Sequence, residues 1–181
     1  QQLLISNGQK SNKEFFFFFL PGEQKMYGVK TPVLNEIVKK YRAGSFTLAE
    51  ELWQAGCLEE RIIAIKIIEK KGKDDPGRVL KLFQQFSKDI NNWAVCDGLG
   101  MQFLRGIVKT HDKEIFTIAE KYNVSKNMWQ RRLSLVMVEW YTRTKVHSSA
   151  IKKLIKGLEN DEEYYVKKAV AWININFEKA K

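Results

Sequence analysis

Three short segments with one shared pattern decide the fold: Glu60-Arg61-Ile62-Ile63-Ala64, Arg131-Arg132-Leu133-Ser134-Leu135 and Lys167-Lys168-Ala169-Val170-Ala171. Each has two polar residues followed by an apolar stretch that contains a small residue. The longer predicted helices begin near Leu58, Asn91, Asn127 and Asp161, which are 33, 36 and 34 residues apart. Such a period is typical of stacked helical hairpins, because each hairpin buries its apolar face only against its neighbours.

Helix start and stop signals lie between these segments along most of the chain. The predicted helices cover residues 31–44, 47–54, 58–71, 76–86, 91–109, 112–121, 127–141, 147–158 and 161–178. We therefore predict an all-α fold, an α-solenoid or superhelix that forms a single domain over residues 1–181. Residues 1–30 are predicted to be an N-terminal helical segment that packs on the first repeat.

The composition is that of a soluble globular protein, with 44% hydrophobic and 29% charged residues. Two cysteines are too few for a disulfide framework. The longest apolar run, Phe15 to Leu20, has six residues, whereas a membrane span needs about 20. We therefore expect no membrane association, and we expect the five phenylalanines of this run to form a buried helix face.

The net charge of +10 is distributed unevenly. Residues 1–60 are neutral, residues 61–120 carry +3 and residues 121–181 carry +7. This excess fits a polyanion partner, although an ordinary solvated lysine-rich surface would give the same total. In a curved solenoid, Arg61, Arg132 and Lys168 would share one concave wall, but such folds also serve as protein-interaction scaffolds.

One carboxylate and two tryptophans on the longer helices are candidates for chemistry. Trp93 and Asp97 are four residues apart, on one helix face, and Trp172 follows Lys168 by four residues. An N3- or N7-alkylated purine in DNA is positively charged, so its glycosidic bond breaks toward a sugar cation that a carboxylate stabilises, while indole faces attract the cationic base. The structural alternatives are core tryptophans and, at Asp97, a salt bridge to a neighbouring helix or an exposed polar position.

Other kinds of site find no support in the sequence. His111 and His147 are not spaced as metal ligands. Gly98 and Gly100 lie inside a predicted helix with no strand before them, unlike a nucleotide-binding loop. We therefore expect neither a metal nor a cofactor.

The sequence resembles the AlkD-like family of DNA alkylation repair glycosylases, which are built from HEAT-like helical hairpin repeats. The similarity extends from about Tyr27 to Trp172. The segments that carry it are Tyr27-Gly28-Val29-Lys30-Thr31-Pro32, Glu59-Glu60-Arg61, Ile90-Asn91-Asn92-Trp93 with Asp97, Trp129-Gln130-Arg131-Arg132-Leu133 and Lys168-Ala169-Val170-Ala171-Trp172. No single segment is specific, but their order and spacing are.

The resemblance implies a glycosylase of base excision repair that hydrolyses the N-glycosidic bond of positively charged N3- or N7-alkylpurines in double-stranded DNA. It implies that Asp97 is the catalytic carboxylate and that Trp93 and Trp172 cradle the lesion. Arg132 matches a DNA-contacting arginine, and we add Arg131, Lys168 and Arg61 as predicted DNA contacts. We expect a monomer in the cytoplasm, associated with the nucleoid when bound to DNA.

The sequence departs from the family pattern at three places. Ala94 replaces an acid that often follows the central tryptophan, Ile175 replaces an arginine of the last helix, and the chain stops at Lys181, where a terminal helix is common in the family. Because Ile175 removes a phosphate contact, weakened or lost activity is one expected outcome. The alternatives are therefore a non-catalytic protein for branched or distorted DNA and a protein-interaction scaffold.

Overall fold

The computed structural model describes residues 1–144 and 146–179, and it describes the side chains of all of these except Phe16 and Phe17. Twelve α-helices follow one another in this part of the chain: α1 Gln2–Asn7, α2 Lys10–Phe19, α3 Thr31–Tyr41, α4 Phe46–Ala55, α5 Leu58–Lys71, α6 Pro76–Phe86, α7 Trp93–Gly98, α8 Asp112–Asn123, α9 Met128–Val136, α10 Glu139–Thr142, α11 Ser148–Leu158 and α12 Tyr164–Lys179. The predicted all-α fold is confirmed.

The second helices of successive hairpins, α5, α7, α9 and α12, form a continuous row. They begin 35, 35 and 36 residues apart, which is more regular than the predicted spacing. In this row α5 packs on α7, α7 on α9 and α9 on α12, while α4, α8 and α11 pack on α5, α9 and α12. The chain is therefore an α-solenoid in which α7 lies between α5 and α9.

Local sequence signals define the first hairpin. The Ser45 hydroxyl accepts a hydrogen bond from the Leu48 N–H and caps the start of α4. Gly56 ends this helix at a φ of 82°, a left-handed conformation that favours glycine. The Glu60 carboxylate then accepts a bond from the Cys57 N–H at the start of α5. The turn between the two helices is thus specified by adjacent residues.

Aromatic side chains fill the centre of the core. The Trp53 and Phe86 rings are stacked, with centroids 4.2 Å apart and planes 3° apart. Phe83 and Phe103 are fully buried beside them. Burying a side chain of this size stabilises the fold by roughly 1.5–3 kcal/mol, and this cluster joins α4 and α6 to the π-helix segment Leu99–Phe103.

The helix predicted for residues 91–109 is shorter than expected. Helix α7 ends at Gly98 and continues as a π-helix over Leu99–Phe103, after which the chain turns. A Cβ atom on Gly100 would lie 2.6 Å from Val136 Cγ1 and 2.9 Å from the Met137 backbone nitrogen. Glycine therefore permits a close approach of this segment to the end of α9, and the altered winding follows directly after Asp97.

The N-terminal segment is tied to α5 through a buried carboxylate. The backbone N–H groups of Tyr27, Gly28 and Val29 donate to the Glu59 carboxylate at 3.1, 2.7 and 3.1 Å. An isolated antiparallel bridge joins Gly8 to Val29. The Asn12 side chain of α2 donates to the Gly28 carbonyl oxygen at 3.0 Å, so the same segment connects α2 to α5.

The expected burial of the phenylalanine run is wrong for the residues whose side chains are described. Phe15, Phe18 and Phe19 are 61%, 86% and 52% exposed. The side chains of Phe16 and Phe17 lie outside the described part of the structure. A short helix can bury only one of its faces, so consecutive phenylalanines on α2 cannot all reach the core.

Candidate active site at Asp97

Helix α7 is held at its first residue by a buried asparagine. The Asn92 side chain accepts a bond from the Val95 N–H at 2.9 Å, and its amide donates to Gln24 Oε1 at 2.9 Å. The first bond caps the helix, and the second connects it to the N-terminal segment. This anchoring fixes the direction in which Trp93 and Asp97, one helical turn apart, extend from α7.

The Asp97 carboxylate forms hydrogen bonds with an arginine from the next helix of the row. Arg132 Nε donates to Asp97 Oδ1 at 3.0 Å, and Arg132 Nη2 donates to Oδ2 at 2.9 Å. Arg132 Nη1 donates to the Tyr165 carbonyl oxygen at 2.7 Å. This bidentate pairing fixes the plane of the carboxylate. The buried Arg132 side chain also joins α7, α9 and α12.

Two opposing effects act on the proton affinity of Asp97. Burial raises the pKa of Asp97, and the hydrogen bonds and positive charge of Arg132 offset only part of that increase. The pKa of Asp97 therefore lies above the ordinary aspartate value, with burial as the larger effect. A partly desolvated anion with restrained geometry interacts strongly with a positive charge placed next to it.

Asp97 lies on the wall of a cleft of about 680 Å³. Helices α2, α3, α5 and α7 and the π-helix contribute the other walls, which are mainly apolar. Trp93 lines this cleft too and is 37% exposed. Its Nε1–H donates to the Phe19 carbonyl oxygen at 3.0 Å, so α2 is held directly against the indole.

Trp172 has a different environment from Trp93. It is half-buried on α12 and packs against the core, and it is not among the residues that line the Asp97 cleft. It lies two helical turns beyond Tyr165, whose carbonyl oxygen accepts the bond from Arg132. The link between α12 and Asp97 in the described structure thus passes through Arg132.

The remaining predicted DNA contacts are distributed along the row of helices. Arg131 bonds Asp161 through Nε and the Ser125 carbonyl through Nη1. Lys168 is exposed, with its Nζ 4.9 Å from the centre of the Tyr164 ring.

Arg61 lies at the opposite end of the row from Lys168. Its Nη1 donates to the Asp89 carbonyl at 3.1 Å, and its guanidinium carbon lies 5.0 Å from the centre of the Trp53 ring. Within residues 1–144 and 146–179, Arg132 is the one of the four basic residues predicted to bind DNA that contacts Asp97. The structure thus brings Arg132, Asp97 and Trp93 together and leaves Arg61, Arg131 and Lys168 in separate local contacts.

Sequence reasoning missed the contribution of α2. Phe15 and Phe19 line the Asp97 cleft, although they precede Asp97 by 82 and 78 residues in the sequence. The signal that could have found them is the run of five phenylalanines itself, because a helix that exposes several large apolar groups often marks a binding surface.

The chain matches a known family over nearly its whole length. A family model described as "DNA alkylation repair enzyme" matches residues 1–176. The chain belongs to this family. Membership of the DNA alkylation repair family indicates a role in the repair of alkylated DNA, with DNA as the partner. No curated protein matches the sequence.

A solved structure shares the fold of this DNA alkylation repair family member. It is described as "Predicted DNA alkylation repair enzyme from Enterococcus faecalis", and it superposes with a TM-score of 0.78 at 18% sequence identity. The match covers 96% of this chain and 84% of the other. At this identity the likeness concerns the fold, and it agrees with the helical arrangement described above.

Neither a membrane-spanning helix nor a metal-binding cluster occurs among the described residues. Within residues 1–144 and 146–179, the helices are all too short or too polar to span a bilayer. The same residues contain no group of three or more His, Cys, Asp or Glu side chains arranged to hold a metal ion.

Proposed function

We propose that the protein is a DNA glycosylase of base excision repair that acts on positively charged N3- or N7-alkylated purines in duplex DNA. The observation that carries this proposal is the Asp97 carboxylate, which Arg132 holds in a fixed orientation on the wall of a cleft beside Trp93. The repair family to which the chain belongs supplies the substrate class, alkylated DNA.

The reaction makes few demands on the protein. The bond between C1′ and the purine nitrogen breaks with both electrons going to the base, and this cancels the positive charge of the alkylated ring. The sugar becomes an oxocarbenium ion. Water then adds to C1′ and releases its proton to solvent, which gives an abasic site and a free base. A general acid is unnecessary because the leaving group is neutral once it departs.

In this proposal Asp97 is the catalytic residue. Its negative charge stabilises the sugar cation, and its oxygens accept a hydrogen bond from the attacking water. Because the carboxylate is already oriented by Arg132, little reorganisation is needed when the positive charge develops. Trp93 would contact the lesion nucleotide from the same wall, and Trp172 would do so from α12, as the resemblance implies.

Arg132 is assigned two tasks in the proposal. Its bonds to Asp97 and Tyr165 use three of the five guanidinium N–H groups. The phosphate contact predicted from the sequence would use one of the two remaining groups. Arg131, Lys168 and Arg61 would contact phosphates farther along the duplex, where positive charge raises affinity in a salt-dependent manner.

The deciding experiment measures base release. Duplex DNA methylated at N7 of guanine and N3 of adenine is incubated with the protein, and free 7-methylguanine and 3-methyladenine are quantified by chromatography. We expect release above the rate of spontaneous depurination. Release equal to that of a protein-free control would contradict the proposed activity.

A non-catalytic DNA-binding role is the second candidate, and two observations favour it. Both oxygens of Asp97 accept hydrogen bonds from Arg132, which neutralises part of the charge that catalysis needs. Ile175, where an arginine is common in the family that the sequence resembles, is 49% exposed on α12. This candidate predicts salt-dependent binding of branched or distorted DNA without base release.

A further inference from the structure

The exposed phenylalanines of α2 are unusual for this protein. Phe83, Phe86 and Phe103 are completely buried, whereas Phe15 and Phe19 leave more than half of their surface in solvent. Leaving two large aromatic rings in solvent forfeits the stabilisation that burying them would give. Their exposure next to the candidate active site therefore calls for a functional explanation.

The two rings belong to the same cleft as the carboxylate. Phe15 and Phe19 line it together with Trp93 and Asp97. The Phe15 and Phe19 ring centroids are 4.8 Å apart with a 50° angle between the planes. The bond from Trp93 Nε1 to the Phe19 carbonyl oxygen holds the end of α2 against α7. Phe15, Phe19, Trp93 and the Asp97 carboxylate thus border a single space.

The charges around this space favour a cationic occupant. Asp97 supplies a negative charge that its bonds to Arg132 neutralise in part, and aromatic faces attract cations through the ring quadrupole. The two other charged side chains that line the cleft also have partners. Glu59 accepts the backbone bonds of residues 27–29, and Lys66 pairs with Glu69 at 2.8 Å.

We propose that Phe15 and Phe19 contact the alkylated purine in the Asp97 cleft and select it by its positive charge. This inference rests on the proposed function, and it gives the phenylalanine run a role that the motifs of the repair family left unexplained. Phenylalanine has no hydrogen-bonding group, so these rings cannot read the edge of a base. The contact should therefore favour cationic over neutral bases while discriminating little between guanine and adenine.

The test separates the aromatic face from simple apolar packing. In the double variant Phe15→Leu/Phe19→Leu, the cleft keeps apolar side chains but loses both π faces. Phe18→Leu is the matched control, because Phe18 lies on the same helix, is 86% exposed and is not among the cleft-lining residues. Circular dichroism and thermal melting establish that each variant is folded.

The probe is a duplex with one 2′-fluoro-7-methylguanine nucleotide, compared with the same duplex carrying 2′-fluoroguanine. The fluorine destabilises the sugar cation, so the charged base survives long enough for an equilibrium binding measurement. We expect the wild-type protein to prefer the charged duplex, and we expect the double leucine variant to lose that preference by about tenfold. Phe18→Leu should keep it.

The outcomes distinguish this inference from the proposed function. If the wild-type protein shows no preference for the charged duplex, or if the double variant retains it, the inference is wrong even when 7-methylguanine is released from ordinary methylated DNA. If the preference depends on the two phenylalanines but no base is released, the lesion contact stands and the glycosylase proposal fails.

Discussion

The two sides of the candidate site differ in chemistry. The N-terminal wall, formed by Phe15, Phe19 and Trp93, is aromatic, and its polar link across the helices is a bond from an indole to a backbone carbonyl. The C-terminal side lies outside the cleft lining and is polar and basic, since Arg132 on α9 bonds both Asp97 and the Tyr165 carbonyl oxygen of α12. Asp97 lies between the two sides. In the proposal, recognition of a flat cationic base and control of the Asp97 charge thus belong to different parts of the solenoid.

Removing the negative charge of Asp97 should have the largest effect on base release. Asp97→Asn keeps the size of the side chain but eliminates the anion, so we expect base release to fall by roughly 10²- to 10³-fold, the effect typical of losing one electrostatic stabiliser. Single-turnover release of 7-methylguanine measures this. The control is Asp74→Asn, an exposed aspartate 3.6 Å from Lys71, which should retain full activity.

Breaking the Arg132 contacts on the C-terminal side should cost stability as well as activity. Arg132→Met leaves Asp97 partly buried without its partner, and we expect the free energy of unfolding to fall by about 2–3 kcal/mol, less than for a fully buried pair because Asp97 is partly exposed. Urea denaturation measures the change. Arg132→Lys should recover only part of it, since lysine cannot pair with both oxygens in a fixed plane. Unchanged stability in the methionine variant would show that the pair is not structural.

The pH dependence of base release tests the state of Asp97. Burial raises the pKa of Asp97, and the ionised form is the active one, so activity should decline as the pH falls and its inflection should lie above about 3.9, the ordinary aspartate value. In Arg132→Met the inflection should move to higher pH, because the guanidinium lowers this pKa. Rates are corrected for spontaneous depurination at each pH. An inflection that does not respond to Arg132 would assign the titration to another group.

The smallest expected effects concern DNA affinity along α12. If each position contacts one phosphate, Lys168→Gln should make the negative slope of log affinity against log salt shallower by about 0.9. Ile175→Arg should make it steeper by about the same amount. Titrations of a fluorescent duplex at several salt concentrations measure both. Lys39→Gln, an exposed residue of α3 that pairs with Glu36, is the control and should leave the slope unchanged. Equal slopes for all variants would show that the DNA does not contact α12 at these two positions.

Much of the fold could be predicted because its signals are local. The hairpin period located the second helices, since helix starts and apolar spacing are written in adjacent residues. The helix predicted for residues 91–109 was too long, because the winding after Gly98 depends on the close approach of Gly100 to Val136 and Met137. That approach joins segments more than 30 residues apart, so no local sequence pattern predicts it.

The candidate site was likewise predictable only where its residues are close together in the sequence. Trp93 and Asp97 share a helix face whatever surrounds them, because they are one turn apart. The partner of Asp97 was not predictable, and Arg132 was expected at a phosphate, whereas the structure shows its guanidinium bound to the carboxylate. The contact between Trp93 and Phe19 spans 74 residues and was missed altogether.

The sequence by itself determined the repeated helical hairpins, the uneven charge and the pairing of Trp93 with Asp97 on one turn. All three follow from backbone geometry and residue order over short distances. Only the tertiary structure decided that Phe15 and Phe19 share the cleft with Asp97, that Arg132 holds its carboxylate and that Trp172 lies outside the cleft lining. The physical reason is that helical periodicity specifies which face of each helix is apolar, whereas close packing between the helices specifies which residues on those faces meet.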